Sequence, residues 1–251
     1  MRDDILEKAK TLSRSVAASY GTPRFYREKS GEVERSLEHF RSHPVVRSAI
    51  SIASSALGSY GHGFSHARKV AVDAGAIVLV ESGFPETAEK EERMLFLAHL
   101  AGLFHDIRRS CPNHAQAGAE AAEGILQAFD LTERERRGIT GAIRNHEAFQ
   151  AHETMEDPAM QLLSDALYDA DKFRWGPDNF TEMIWDIIEP LDIPLDSMLA
   201  HFLPGLKGIE KIRGTFRTST GREYGPDFID RGLDIGRVLY EELKSADFHG
   251  H

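Results

Sequence analysis

Histidine and aspartate side chains recur at wide spacing between residues 66 and 171. They are His66, His105 with Asp106, His114, His146, and Asp169 with Asp171. Imidazole nitrogens and carboxylate oxygens together suit zinc, iron, manganese or nickel, whereas a closed structural zinc site usually contains thiolates. The chain has a single cysteine, Cys111, and no zinc-finger spacing. The residue types therefore predict an open metal site whose ligands come from distant parts of the chain.

The pair His105-Asp106 follows the apolar stretch LAHLAGLF. Polar side chains at a helix end can serve only to satisfy the backbone groups that are unpaired there. The apolar residues from Met94 to Phe104 instead place this pair beside the core, where packing holds two adjacent ligands in a fixed geometry. Four cations flank the candidate ligands and could contact a phosphate or pair with acidic residues. They are Arg108, Arg109, Lys172 and Arg174.

Apolar residues at spacings of three and four predict a mainly helical protein. Helices are expected near residues 3–20, 33–42, 44–57, 64–82, 86–107, 114–129, 133–146 and 157–170. Facing helices of a bundle bring inward-pointing side chains together from distant positions, as the candidate ligands require. Two helix starts suggest capping boxes, Asn113 with Gln116 and Thr132 with Glu135.

Beyond Asp171, glycine and proline concentrate in RWGPDNF, EPLDIPLD, FLPGLKG and STGREYGPDF. This texture predicts a loop-rich C-terminal extension that ends in a helix over 228–245. The predicted fold is all-α, a single helical bundle with the extension packed on it. It is one structural domain with three parts: N-terminal helices over 1–58, a metal-binding core over 59–175 and the extension over 176–251.

Charge and hydropathy limit the classes of partner that the chain is expected to bind. The chain has 251 residues and a formal net charge of −10, which argues against a broad surface for duplex nucleic acid. Its longest central apolar run, AVDAGAIVLV, is too short to span a bilayer, so no membrane segment is expected. The N-terminus MRDDILEKAK lacks the apolar core of a signal peptide, and the expected location is cytoplasmic. A homo-oligomer stays open.

The ordered ligand set resembles that of the HD superfamily of metal-dependent phosphohydrolases. The family signature has an early His, a His-Asp pair at the end of a helix and a late Asp. The matching residues are His66 in GFSHARKV, His105 and Asp106 in LFHDI, and Asp171 in YDADKF. Matches to the two-metal subgroup are His114 in HAQAGAEAAEGIL and His146 in AIRNHEAF. The Gly-Tyr-Pro tripeptide of a larger subgroup is absent, so hydrolysis of cyclic dinucleotides is not expected.

The resemblance implies an HD-type bundle and one or two divalent ions of Mn, Fe, Co, Ni or Zn. The implied metal ligands are His66, His105, Asp106, His114, His146 and Asp171. It implies hydrolysis of a phosphate ester or anhydride, with a nucleotide as the leading substrate, by attack of a metal-bound hydroxide. The implied catalytic residues are Asp106, His114, His146, Arg109 and Lys172. A di-iron oxygenase and a non-catalytic sensor or binding module are the alternative functions.

Several residues have a competing interpretation. Asp169 competes with Asp171 for the late ligand position, since only one need point inward. His99 lies on nearly the same helical face as Asp106, so packing is favoured over coordination. Trp175 and Phe180 could stack on a base, although a core position is favoured. His62 is interpreted as a loop residue between two glycines, and His249 and His251 as solvated terminal residues.

Overall fold

The apolar spacing produces helices along nearly the whole chain. The computed structural model describes residues 2–57, 63–82 and 87–245, and these ranges contain helices and no strand. The first nine helices are α1 Arg2–Ser19, α2 Arg24–Glu28, α3 Ser30–Ser42, α4 Pro44–Ala56, α5 Phe64–Glu81, α6 Ala88–Phe104, α7 His114–Leu126, α8 Glu133–Arg144 and α9 Pro158–Phe173. A π-helical turn over Asn179–Met183 precedes α10 Ile184–Ile188, α11 Leu195–Ile212 and α12 Ser219–Ser245. The all-α prediction is confirmed.

Helices α5 and α6 form the centre of the molecule. Helix α5 is buried over most of its length and α6 from Leu95 to Phe104, as expected of helical stretches that are apolar nearly all round. They cross antiparallel at a close approach, where a Cβ on Gly102 would lie 2.3 Å from the Cα of Ala71. A side chain at position 102 would push the two helices apart. This contact brings the start of α5 beside the end of α6, where His66 and His105 lie.

The predicted helices of the first 173 residues are present, with ends shifted by a few residues. The predicted capping box of α8 is confirmed, because the Thr132 side chain accepts from the Glu135 amide and the Glu135 side chain accepts from the Thr132 amide. The predicted box at Asn113 is wrong. Asn113 adopts a left-handed backbone with φ 54° and makes no side-chain capping bond, since this conformation points its side chain away from the first turn of α7.

The prediction that the C-terminal extension is loop-rich is also wrong for the described residues 176–245, whereas the final helix predicted over 228–245 is present as part of α12. Helices α11 and α12 have 18 and 27 residues, and Pro204 and Pro226 lie inside them. The glycines of α12 are packing sites and not turn residues: a Cβ on Gly232 would lie 2.9 Å from the Cα of Gly176, and one on Gly225 would overlap the Phe216 ring. Composition signalled loops because a glycine in a tight helix contact and a glycine in a turn look alike in sequence.

The last helices are part of the same core as the first ones. Buried apolar residues from Ala9 in α1 to Leu243 in α12 form one contiguous cluster. Lys10 of α1 pairs with Glu189 at 2.7 Å, which ties the N-terminal helix to the segment after α10. Within residues 2–57, 63–82 and 87–245, no helix combines the length and apolar character needed to cross a membrane. Residues His62, His249 and His251 lie outside the described ranges.

Candidate metal centre

The ends of five helices meet at the predicted site. His66 lies in the first turn of α5, and His105 and Asp106 directly follow α6. Asp171 lies in the last turn of α9, which packs against α5. His114 begins α7 and His146 follows α8, so all six predicted ligands come from the ends of helices. Helix ends suit such a site because their side chains can converge without interrupting a hydrogen-bonded turn.

Four of these residues form a first donor set. The Nε2 atom of His66 lies 3.2 Å from Nε2 of His105, 3.2 Å from Oδ1 of Asp171 and 3.8 Å from Oδ2 of Asp106. Nε2 of His105 lies 3.5 Å from the same Asp106 oxygen and 3.7 Å from Asp171 Oδ1. Ligands about 2.1 Å from one ion lie about 3.0–3.4 Å apart at the angles of ordinary coordination. The spacing therefore fits one divalent ion, with slight contraction at the longer edges.

The second carboxylate oxygen of Asp106 faces a second donor set. Asp106 Oδ1 lies 3.4 Å from Nε2 of His146 and 3.8 Å from Nε2 of His114. Arg109 Nη1 lies 3.9 Å from this oxygen and donates to His114 Nε2 at 2.8 Å. Asp106 is therefore common to both sets, with one oxygen toward each. The second set is more open, because the His114 side chain is 14% exposed, against 2% or less for His105 and His146.

Backbone carbonyls orient two of the imidazoles. The Nδ1 of His105 lies 2.8 Å from the Gly102 carbonyl oxygen, and the Nδ1 of His146 lies 2.5 Å from the Ile143 carbonyl oxygen. A carbonyl only accepts, so each Nδ1 carries the proton and each Nε2 lone pair points into the site. Metal-binding histidines commonly have such a bond on the other ring nitrogen. The Nε2 of His146 is buried and, within the described residues, has no hydrogen-bond partner, as a metal ligand would before loading.

Burial and neighbouring charges set the protonation states. Burial alone would raise the pKa of Asp106, but His105 and His146 outweigh it and hold that pKa well below its ordinary value. Burial also opposes ionisation of Asp171, yet Lys172 and His66 hold its pKa well below the ordinary range. Burial lowers the pKa of His66 despite the adjacent Asp171. At neutral pH both carboxylates are thus ionised and His66 is neutral, as binding of a divalent cation requires. Burial lowers the pKa of His105, but Asp106 outweighs it and raises that pKa, so a cation would displace a proton from His105.

The structure separates the two aspartates of α9. Asp171 lies in the first donor set, and Lys172 Nζ contacts its other oxygen at 2.5 Å. Asp169 instead accepts from the backbone amides of Arg217 and Thr218, each at 2.8 Å, and from the Thr218 hydroxyl at 2.7 Å. Burial raises the pKa of Asp169 to about 7, although these donors oppose the shift. Asp169 therefore anchors the segment that leads into α12 and lies outside the candidate site.

The four flanking cations have different environments. Arg109 is exposed enough to turn toward a bound anion, whereas Lys172 is buried against Asp171. Arg108 is exposed and lines none of the cavities described below. Arg174 is 3% exposed and bonds Asp73, Asp178 and the Tyr26 hydroxyl. Its charge is thus neutralised inside the protein, which removes it from the candidate phosphate contacts.

Sequence reasoning missed the network around Arg174. Asp73 lies in the middle of the buried helix α5 and is 3% exposed, and Tyr26 donates to it at 2.7 Å. A single carboxylate inside the apolar run AVDAGAIVLV is a signal for such a network, since an unpaired charge there would be costly. The predicted packing role of His99 is confirmed: its ring is fully buried and contacts Ser36 and His39, away from the donor sets.

A cavity of about 270 Å³ opens beside the second donor set. Its polar lining residues are Arg109, His114, His146, Glu147 and Lys172. The other lining residues are apolar or glycine: Ala148, Phe149, Trp175, Gly208 and Ile212. Phe180, for which a core position was favoured, is 2% exposed and lies in the core, whereas Trp175 is half-buried and borders this cavity.

Comparison with known proteins gives no relative from which a function could be transferred. No protein-family model, curated protein or solved structure matches the chain. What the structure shows is that buried His and Asp groups could hold a metal ion. Within the described residues, the two groups with suitable spacing are His66, His105 and Asp171, and His105, Asp106 and His146.

Proposed function

We propose that this chain is a metal-dependent phosphohydrolase that cleaves a phosphate ester or anhydride, with a nucleotide as the leading substrate class. One observation carries the proposal: Asp106 is shared by two donor sets, and the second set opens into a cavity whose wall contains Arg109 and Lys172. Sites in which two donor sets share one carboxylate suit reactions in which two metal ions hold a phosphate. The resemblance of the residue set to the HD superfamily points the same way.

In this proposal His66, His105, Asp106 and Asp171 hold one ion, and Asp106, His114 and His146 hold a second. A divalent ion lowers the pKa of coordinated water to about 7, which supplies a nucleophile at neutral pH. In the form with one ion, His114 and His146 contact the phosphate or carry a proton. Burial, followed by the charge of Arg109, lowers the pKa of His114, so this imidazole is neutral and can accept a proton.

The two cations have separate tasks. The Arg109 guanidinium is 41% exposed at the cavity and can exchange its bond to His114 for a pair of bonds to phosphate oxygens. Lys172 is fixed by Asp171, so its charge stays in place beneath the phosphate position without leaving that carboxylate. The bond from Lys172 to Oδ2 of Asp171 also directs the Oδ1 atom toward His66. Arg109 thus orients the substrate, and Lys172 orients a ligand.

The test is a phosphate-release screen over nucleotides and simple phosphate esters, with Mn, Fe, Co, Ni or Zn added separately to the metal-stripped protein. Asp106→Ala is the site variant. Asp165→Asn is the matched control, because Asp165 lies on α9 but pairs with Gln161 outside both donor sets. We expect metal-dependent release that Asp106→Ala abolishes and Asp165→Asn retains.

Two results would contradict the proposal. The first is an absence of release with every metal, together with equal metal content in the parent and the Asp106→Ala variant. The second is oxygen uptake without phosphate release in an oxygen electrode, which would favour the di-iron oxygenase. Equal thermal stability of the two aspartate variants would show that the comparison concerns the site and not folding.

A further inference from the structure

An exposed aromatic residue lines the cavity that also contains the candidate phosphate contacts. Phe149 is 65% exposed, and its backbone adopts φ 64°, a left-handed conformation that favours glycine. Burial therefore does not explain a phenylalanine at this position, and its backbone disfavours one. Strained residues of this kind concentrate at functional sites. The ring lines the cavity that also contains Arg109 and His114.

A clamp within the loop after α8 holds this position. The Asn145 side chain donates to the Glu153 carbonyl at 2.8 Å and accepts from the Glu153 amide at 3.0 Å, and it also contacts Ser164 on α9 at 3.2 Å. Phe149 lies between the two ends of this clamp. His146, a member of the second donor set, immediately follows Asn145. The segment that positions a candidate ligand therefore also positions the exposed ring.

The remaining apolar wall completes a slot. Trp175 directly follows the α9 segment that carries Lys172 and Arg174, and its half-buried ring borders the cavity. Gly208 of α11 lies on the same wall, and a Cβ built on it meets no atom within 4 Å. The position therefore faces open space, and a larger side chain there would occupy the cavity. Polar and aromatic side chains therefore line the same cavity of about 270 Å³.

We propose that the apolar wall is a binding subsite for a planar aromatic ring of the substrate, stacked on Phe149 and Trp175 while the phosphate contacts Arg109. This assignment rests on the proposed function for the position of the phosphate. Aromatic side chains bind any base or planar ring through its face. The ring is therefore that of a nucleobase or of an aromatic alcohol, and the cavity accommodates one such ring with its phosphate.

Binding, measured without turnover, tests the subsite. The chain has two tryptophans, and Trp185 is buried away from this cavity, so quenching of Trp175 fluorescence reports on a ring bound beside Trp175. Trp175 also lines the cavity that contains Gly205, and the glycine variants below separate the two cavities. The probes are adenosine 5′-monophosphate, 1-naphthyl phosphate and ribose 5-phosphate, which has the phosphate and sugar without a ring. They are titrated into metal-free parent protein. We expect both ring compounds to bind at least about tenfold more tightly than ribose 5-phosphate. The tighter of the two identifies the source of the ring.

Three substitutions of Phe149 and one pair of glycine variants separate stacking from a structural role. Phe149→Ala and Phe149→Gly should each weaken binding of the ring compounds about tenfold. The affinity for ribose 5-phosphate should stay within about twofold of the parent's. Phe149→Tyr should retain ring binding. Phe149→Gly should unfold at the parent's temperature or higher, because glycine favours this backbone conformation. Gly208→Leu should block the ring compounds. Gly205→Leu is its control, since Gly205 also faces open space but lines a different cavity.

The outcomes distinguish this subsite from the hydrolase proposal. Ring binding that depends on Phe149, without phosphate release from any substrate, would support the subsite and overturn the proposed reaction. Phosphate release with equal kcat/KM from ribose 5-phosphate and adenosine 5′-monophosphate, unchanged by Phe149→Ala, would overturn the subsite and leave the reaction standing. A loss of ring binding in Gly205→Leu and not in Gly208→Leu would also overturn it, because the ring would then occupy the other cavity.

Discussion

Two histidine clusters lie along or at the end of helix α6 and differ in what surrounds them. In the candidate metal centre, the Nε2 atoms of His66 and His105 lie 3.2 Å apart. In the second cluster, the Nδ1 atoms of His39 and His99 are also 3.2 Å apart, and His43 stacks on His39. The distance between nitrogens is the same. The separation of two imidazoles therefore does not distinguish a metal site from a packed core.

The difference lies in the carboxylates and in the hydrogen bonds on the outer nitrogens. Asp106 and Asp171 face the His66–His105 pair, and a carbonyl fixes His105 so that its Nε2 lone pair points inward. His99 instead bonds Ser36 through Nε2, and its Nδ1 faces His39. Neither group suited to a metal in the described part of the chain includes His39, His43 or His99. The His66–His105 cluster is arranged to bind a cation, whereas His39 and His99 contact each other and Ser36.

The largest effect should come from exchanging one histidine in each cluster. His66→Asn removes a donor that lies within 3.8 Å of three others. We expect metal affinity to fall by more than about 100-fold, since even a residue that only hydrogen-bonds a metal ligand contributes about 10–100-fold. His39→Asn should leave metal affinity unchanged. Metal content after dialysis, measured by mass spectrometry, checks both. Equal loss in the two variants would remove the distinction between the clusters.

A smaller effect should separate the two donor sets. His114 is half-buried and already engaged by Arg109, so the second ion should bind more weakly than the first. His114→Asn should remove the weaker ion and lower phosphate release about 10–100-fold, while the affinity for the first ion stays within about threefold. Isothermal titration with the metal that supports activity measures both affinities. Loss of the tight ion instead of the weak one would show that the two sets are not separate.

Metal removal should lower stability only through the candidate metal centre. An ion present at 100 times its Kd stabilises the fold by about 2.7 kcal/mol. For a chain of this size, that corresponds to a fall in Tm of about 5–10 °C when the ion is chelated. The His39→Asn variant should show the same fall, and Asp106→Asn should show none. A fall of equal size in Asp106→Asn would mean that the ion binds elsewhere.

The sequence was sufficient to predict the helices of the first 173 residues because their apolar faces are periodic. The resemblance to the HD superfamily implied all six residues that converge in the candidate centre, and each of them lies at the end of a helix. The sequence did not decide between Asp169 and Asp171. Their opposite directions depend on the Arg217–Thr218 segment, which packs against α9 from 46 or more positions along the chain. Only the tertiary contact with that segment makes Asp169 a structural anchor.

Other errors have the same origin. Helix α11 and the first turns of α12 were predicted as loops because glycine and proline composition does not reveal a tight helix contact. Arg174 was a candidate for phosphate until Asp73 and Tyr26, from α5 and α2, were seen to enclose it. In each case the prediction rested on the residue types of one local segment. What it lacked was the identity of the partner, which comes from a distant part of the chain.

The smallest effect should appear in the pH dependence of stability and should come from the second cluster. Burial, followed by the charges of His39 and His43, holds the pKa of His99 well below its ordinary value of 6.5. Ser36 faces it from α3, and Glu92 and Arg93 act on the cluster through His39 and His43. Above pH 6.5 His99 is neutral in both the folded and the unfolded chain. Below that pH the unfolded chain binds a proton that the folded chain excludes. The free energy of unfolding therefore decreases as the pH is lowered.

The free energy of unfolding should therefore drop by about 1.4 kcal/mol per pH unit below 6.5 from this residue alone. His99→Gln, which retains a hydrogen-bonding group for Ser36, should lose that part of the slope between pH 7.5 and 5.5. His201→Gln is the matched control, because His201 is exposed on α11. Urea denaturation of metal-free protein at both pH values measures the three slopes. The same slope in the parent and His99→Gln would mean that the folded second cluster accepts a proton, and the two clusters would then differ in their ligands but not in their electrostatics.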